Sequence, residues 1–189
     1  MNPKDILSES DQKTLLLLAR SAVREALETG HRPQPIEVLP PRLREKRGLF
    51  VTLMQEGALR SCIGFPYPVR TLGEACQEVA YAAAFEDSRF PPLDPRELAG
   101  IEYEISVLTA PAPIRPDQIK IGVHGLFIRQ GERSGLLLPQ VAVEYRLNAD
   151  ELMRQTCLKA GLPDKAWVGG AELLGFEAQV FGEIDLQRR

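Results

Sequence analysis

Histidine and cysteine are scarce in this chain, two and three residues among 189, and their placement excludes several chemistries. No HExxH, CxxC or clustered Cys/His spacing occurs, so neither a structural nor a catalytic metal site is expected. Cys62, Cys76 and Cys157 are scattered and odd in number, which argues against a disulfide framework and for a reducing, cytoplasmic compartment. No GxGxxG or GxxxxGK[ST] run is present, so no nucleotide cofactor is indicated, and the GxSxG turn of serine hydrolases is missing. The longest tight apolar run, Leu15 to Ala19, falls far short of the roughly 20 residues of a membrane span. No cationic start leads into an apolar segment, so no secretory leader is expected. A net charge of −3 supplies no global attraction to nucleic acid or anionic lipid.

What is present is an ordinary globular composition, 44% hydrophobic and 26% charged, enough for one substantial core or two small subdomains. Leu15, Leu18, Ala19, Ala22, Val23, Ala26 and Leu27 recur at helical spacing, with Ser10 as expected N-cap and Gly30 as C-cap. His31 to Arg47 is rich in proline and arginine and is expected to wrap the surface in extended form. A hairpin follows: Gly48 to Met54, a turn at Gln55–Gly57, and a second strand through Ser61 and Cys62, with Gly64 bending the chain after them. Thr71 and Glu74 form a capping box for a second helix whose apolar stripe includes Cys76. Ile101 to Leu108 alternates as a half-buried strand. Pro111, Pro113 and Pro116 then mark a boundary. Beyond it a second hairpin flanks Gln130–Ser134, and a third helix starts at Asn148 with Glu151 in the capping-box position. Gly175 to Phe181 alternates as a closing strand, expected to return to the sheet of the first subdomain. Strands mixed with helices give α+β with mainly antiparallel pairing. The expected division is a larger subdomain over 1–112 and 168–189 and a smaller one over 113–167.

The residues able to carry chemistry are few. Cys62 is the candidate nucleophile, because Arg60 precedes it and Arg70 follows, and nearby cations raise thiol reactivity. The competing reading is a small buried hydrophobe. His124, flanked by Gly-Val and Gly, is the candidate acid or base, and the competing reading is a structural turn histidine. Arg60 and Arg89 could clamp an anionic ligand, while Glu86, Asp87 and Glu144 could orient other groups. For Arg89 the competing role is an ion pair with Glu86 or Asp87 that pins its own loop. The basic stretch from Arg32 to Arg47 reads as a solvated loop rather than a phosphate or nucleic-acid surface.

Leu59-Arg-Ser-Cys-Ile-Gly64 resembles the Leu-Arg-Gly-Cys-Ile-Gly hallmark of the AMMECR domain family, with Ser61 in place of the middle glycine. Phe85 to Leu93, Glu104 to Leu108, Ser134 to Glu144 and Thr156 to Leu162 resemble further family blocks, in order along most of the chain. Ser88, where a proline is expected, and Tyr145-Arg-Leu147, where a tryptophan is expected nearby, are departures. The chain looks most like the stand-alone bacterial members, the A proteins of AmmeMemoRadiSam systems. The resemblance implies one AMMECR-type domain, a larger and a smaller α+β subdomain, and a cleft between them. Cys62, Ser61 and Gly64 belong to its hallmark. It further implies two partners, a radical S-adenosylmethionine protein and a Memo-like protein. These would supply the redox cofactors for which this chain has no ligand cluster. Two functions follow: a small-molecule or thiol-dependent cleft around Cys62, or a non-catalytic module that docks those partners.

Overall fold

The computed structural model describes residues 1–36 and 38–183, and these fall into two compact units. One comprises Asn2–Val107 together with the chain from Gln179, and the other comprises Met1 and Leu108–Ala178. Both are α+β with antiparallel strand pairing. Among the described residues no helix is long and apolar enough to cross a membrane.

In the first unit, strands β1 (Leu49–Gln55), β2 (Ala58–Phe65) and β3 (Ile101–Leu108, its last residue in the other unit) are antiparallel, with β1 between β2 and β3. Helices α1 (Glu9–Thr29) and α2 (Leu72–Phe85) cover one face of this sheet. Leu15, Ala19 and Val23 of α1 and Ala75, Val79 and Ala83 of α2 share a core with Leu49, Val51, Leu53, Tyr103 and Ile105. The small residues of α2 let it lie close to the strands. Cys76 is part of this stripe and fully buried, its thiol donating to the Leu15 carbonyl. Burial pushes that thiol up to about 12.

Helix ends follow local side chains. Thr71 and Glu74 close the expected capping box of α2. Gly30 ends α1 in the left-handed conformation, φ 73°. The N-cap of α1 is Ser8 rather than the expected Ser10. Ser8 has Asp11 at the third helical position, which completes a reciprocal pair of bonds, and Ser10 lies inside the helix.

Arg42, Arg44 and Arg47 serve as backbone clamps. Arg44 donates to the Leu39 carbonyl, Arg47 to that of Asp5, and Arg42 to that of Lys4 as well as to Glu45. Arg42 and Arg47 thereby fix the N-terminal segment, and Arg44 fixes the loop that carries it.

In the second unit, β5 (His124–Gln130) pairs with β6 (Arg133–Leu137) through a two-residue turn, tighter than the loop expected from sequence. It also pairs with the first part of β7 (Glu172–Gly182), over 172–177. The two-residue strand β4 (Ala112–Pro113) joins β7 at Gly175 and Leu174. β7 is also the neighbour of β3, and from Gln179 it belongs to the first unit, so its last part returns to that sheet as the sequence leads one to expect. Two helices belong here: α3 (Pro139–Glu144), which periodicity over six residues does not reveal, and α4 (Ala149–Lys159), capped by Asn148 and Glu151 as expected. Leu126, Leu137, Ala142, Leu152 and Met153 form its core. Cys157 is buried with Ile128 and Leu162.

Candidate functional site

The hairpin that carries Cys62 is set by two local irregularities. Glu56 and Gly57 both adopt positive φ, 52° and 77°, which makes the two-residue turn whose twist matches antiparallel strands. With that turn and no interruption, Cys62 would face Val51 and enter the core. Instead the register shifts after Met54, which opposes Leu59, so that Leu53 opposes Ser61 and Arg60 is the extra residue of a β-bulge. One inserted residue exchanges the two faces. Ser61 therefore turns into the core beside Leu53, fully buried, and Cys62 emerges half-buried on the opposite face beside Thr52.

On that face Thr52 Oγ1 donates to Cys62 Sγ at 3.3 Å, and Glu104 is the partner of Thr52 on the next strand. Thiol, hydroxyl and carboxylate residues thus share one cross-strand row. Gly64 does not bend the chain, contrary to expectation. It lies in regular pairing opposite Phe50, where an added Cβ would sit 2.3 Å from the Phe50 ring and 2.5 Å from the Leu49 carbonyl oxygen. Its missing side chain is occupied by that ring.

The backbone of Cys62 is held from the side by the loop after α2. Its N–H donates to Asp87 Oδ2 at 3.1 Å, and its carbonyl accepts from Arg89 Nη2 at 2.9 Å. Arg89 completes the clamp with a forked pair on Asp87, at 2.9 and 2.7 Å. The Asp87 side chain is only 4% exposed, and the Arg89 guanidinium, with the Cys62 and Arg89 amides, holds its carboxyl down at about 2. Ser88, at the tip, is exposed. Arg60 makes the equivalent attachment two residues earlier: it forks onto Glu97 at 2.8 and 3.1 Å and donates to the Pro91 carbonyl. Glu97 also caps the short turn at Asp94. Together these bonds protect the outer edge of β2, which would otherwise offer unpaired backbone groups.

The remaining sequence candidates stand elsewhere. Glu86 is exposed and pairs with Arg32. His124 opens β5 in the second unit, its Nδ1 accepting the Lys120 N–H at 3.1 Å, and Glu144 is exposed at the end of α3 in the same unit. Neither unit by itself brings Cys62 together with His124 or Glu144. Among the described residues no group of three His, Cys, Asp or Glu side chains is arranged to hold a metal ion. Sequence reasoning missed Thr52 and Glu97. The first is identified only by the bulged register. The second could have been found from the box formed by Asp94 and Glu97.

The geometry defines an α+β protein with one half-buried thiol on a pinned sheet edge. The chain belongs to the AMMECR1 family, whose model matches residues 16–181. A Methanosarcina acetivorans protein is 43% identical over 187 residues, covering 94% of each chain. A Methanopyrus kandleri protein is 47% identical over 190 residues, covering 94% of this chain and 90% of its own. The crystal structure of an uncharacterized Pyrococcus horikoshii protein superposes with a TM-score of 0.89 at 41% identity, covering 94% of this chain and 93% of that one. These relatives are archaeal.

Proposed function

We propose that the chain binds a small molecule on the face that presents Cys62, with the thiol as its principal contact. The observation that supports this is the clamp: a half-buried sulfur that accepts a hydrogen bond from Thr52 while both of its own peptide groups are fixed by Asp87 and Arg89. A thiol held in one orientation meets a ligand without a large ordering cost. Arg60 and Arg89 are each matched to a carboxylate, so an anionic ligand would have to compete with Glu97 and Asp87. The two arginines therefore position the edge, and recognition falls to Cys62 and Thr52. His124 and Glu144 carry no part in it.

The test is a metabolite thermal-shift screen on native protein and on Cys62→Ala and Thr52→Val variants. At least one compound should raise the native melting point by several degrees, with the rise abolished by Cys62→Ala and reduced by Thr52→Val. Compounds that stabilise all three proteins equally would contradict the proposal.

The second reading is a docking module, the A component of an AmmeMemoRadiSam-type system, beside a radical S-adenosylmethionine protein and a Memo-like protein. One observation favours it: Ile121, Val123, Val143 and Tyr145 are exposed in the second unit, and the Gly122 turn abuts Val143. Clustered exposed apolar side chains are a feature of interaction surfaces. In that case a pull-down would recover both partners, no metabolite would shift the native melting point, and Tyr145→Asp would release the partners while Cys62→Ala would not.

A further inference from the structure

A groove of about 290 Å³ runs along the outer side of α2, lined by none of the Cys62 row. One wall is the extended segment after α1, where Pro33 and Pro35 present their rings. That wall is fixed in place. Gln77 Nε2 donates to the Gln34 carbonyl at 3.3 Å, and Leu39 fills the space left by the missing side chain of Gly73. The other wall is the outer stripe of α2, from exposed Glu74 through half-buried Gln77 to half-buried Tyr81.

Two guanidinium groups mark the groove. Arg32 lies over the Tyr81 ring, 4.7 Å from its centroid, and Tyr81 in turn packs on Phe85 at 5.1 Å. Arg70 stands before the first turn of α2. Their side chains are 58% and 56% exposed, and each is steadied by one glutamate, Glu86 for Arg32 and Glu78 for Arg70. Glu74, a further acid in the wall, is committed to the helix cap through the Thr71 N–H and hydroxyl.

We propose that this groove binds a small molecule that joins a flat ring to a carboxylate. Ligand pockets for drug-sized molecules occupy about 300–1,000 Å³, so this volume suits a single ring with few substituents. The ring would lie against Pro33, Pro35 and Tyr81. The carboxylate would take Arg32 from Glu86 and Arg70 from Glu78. Both are exposed surface ion pairs, which hold weakly, unlike the pairs of Arg89 with buried Asp87 and of Arg60 with Glu97. The ring and the charge are both required, because either wall alone is an ordinary surface.

The experiment is a titration of the full, ¹⁵N-labelled chain with sodium benzoate, followed by amide chemical shifts. Cyclohexanecarboxylate, which lacks the flat ring, and benzamide, which lacks the charge, serve as paired probes. Benzoate should give saturating shifts centred on the amides of Arg70, Gln77, Glu78 and Tyr81, with a dissociation constant on the order of 1 mM, as expected of a fragment-sized ligand. Cyclohexanecarboxylate and benzamide should bind about tenfold more weakly. Arg32→Gln and Arg70→Gln should each weaken benzoate by a similar factor while leaving the rest of the spectrum in place. Shifts that never saturate, that centre elsewhere, or that benzamide reproduces would overturn the proposal. The comparison of the three compounds on native protein decides the matter even if a variant misfolds.

Discussion

Asp87→Ala is expected to cost about 3 kcal/mol of stability, a larger loss than any surface substitution on this chain would give. The carboxylate accepts from the Cys62 amide and from three donors of Arg89, and its side chain is 4% exposed. Removing it leaves an edge amide without an acceptor and a guanidinium without its counter-charge. Part of the cost is recovered because Arg89 is half exposed and can turn to water. Asp87→Asn keeps an acceptor for the amide and should lie between native and Ala.

The same pair makes a pH prediction. The folded-state value of Asp87 is depressed from 3.8 to about 2, so the native state favours the ionised form. The stability it contributes is fully present above about pH 4 and is lost as pH falls through 4 to 2. The depression corresponds to about 2 kcal/mol. Urea unfolding at neutral pH and across this window, on native protein and both variants, measures both quantities. A neutral-pH difference below about 0.5 kcal/mol for Asp87→Ala would show that the clamp contributes nothing.

The second large effect lies two residues beyond Cys62, on the same face of β2. Gly64→Val should destabilise by about 3 kcal/mol, because overpacking cannot be relieved by rotating a side chain away. The first atom added meets the Phe50 ring at 2.3 Å and, behind it, the Leu49 carbonyl oxygen at 2.5 Å. The ring can turn aside, but the carbonyl belongs to β1 and cannot move without disturbing the pairing with β2. For a chain of this length that is a melting-point loss of roughly 6–12 °C. Pairing Gly64→Ala with Phe50→Ala should recover part of the loss by opening the ring's space. Scanning calorimetry of the single and double variants measures this, and a Gly64→Val protein melting within a degree of native would mean that the strands are farther apart than described.

The helix starts of both units were legible because their signals are local. Thr71 with Glu74 and Asn148 with Glu151 announce helix starts through bonds confined to four residues, and both occur as read. Ser8 was passed over for Ser10 because both are serines and only the reach of Asp11 distinguishes them. The hairpin was legible as well, from its strand pattern and Gly57. The orientation of Cys62 was not, since it depends on a bulge at Arg60 that no side chain in the strand demands. The bulge is accounted for by tertiary attachments, Arg60 to Glu97 and the Asp87–Arg89 clamp, between residues about 25 to 37 positions apart. The same bulge gives Ser61 its role: its side chain faces the core, and its hydroxyl has no hydrogen-bond partner among the described residues. A departure from the family glycine at this position therefore alters packing beneath the sheet rather than the surface beside the thiol. The pairing of β7 with β5 is likewise a long-range outcome, for alternation shows that a strand is half-buried and not which neighbour it takes.

Native-state alkylation reads directly which way Cys62 faces. With iodoacetamide at neutral pH, followed peptide by peptide in the mass spectrometer, Cys62 should be modified at least about a hundredfold faster than the fully buried Cys76 and Cys157. The latter two should react only as the protein unfolds, so their rates should rise with urea while that of Cys62 changes little. Equal protection of all three thiols, or faster modification of Cys76 or Cys157, would place Cys62 in the core and remove the proposed binding face.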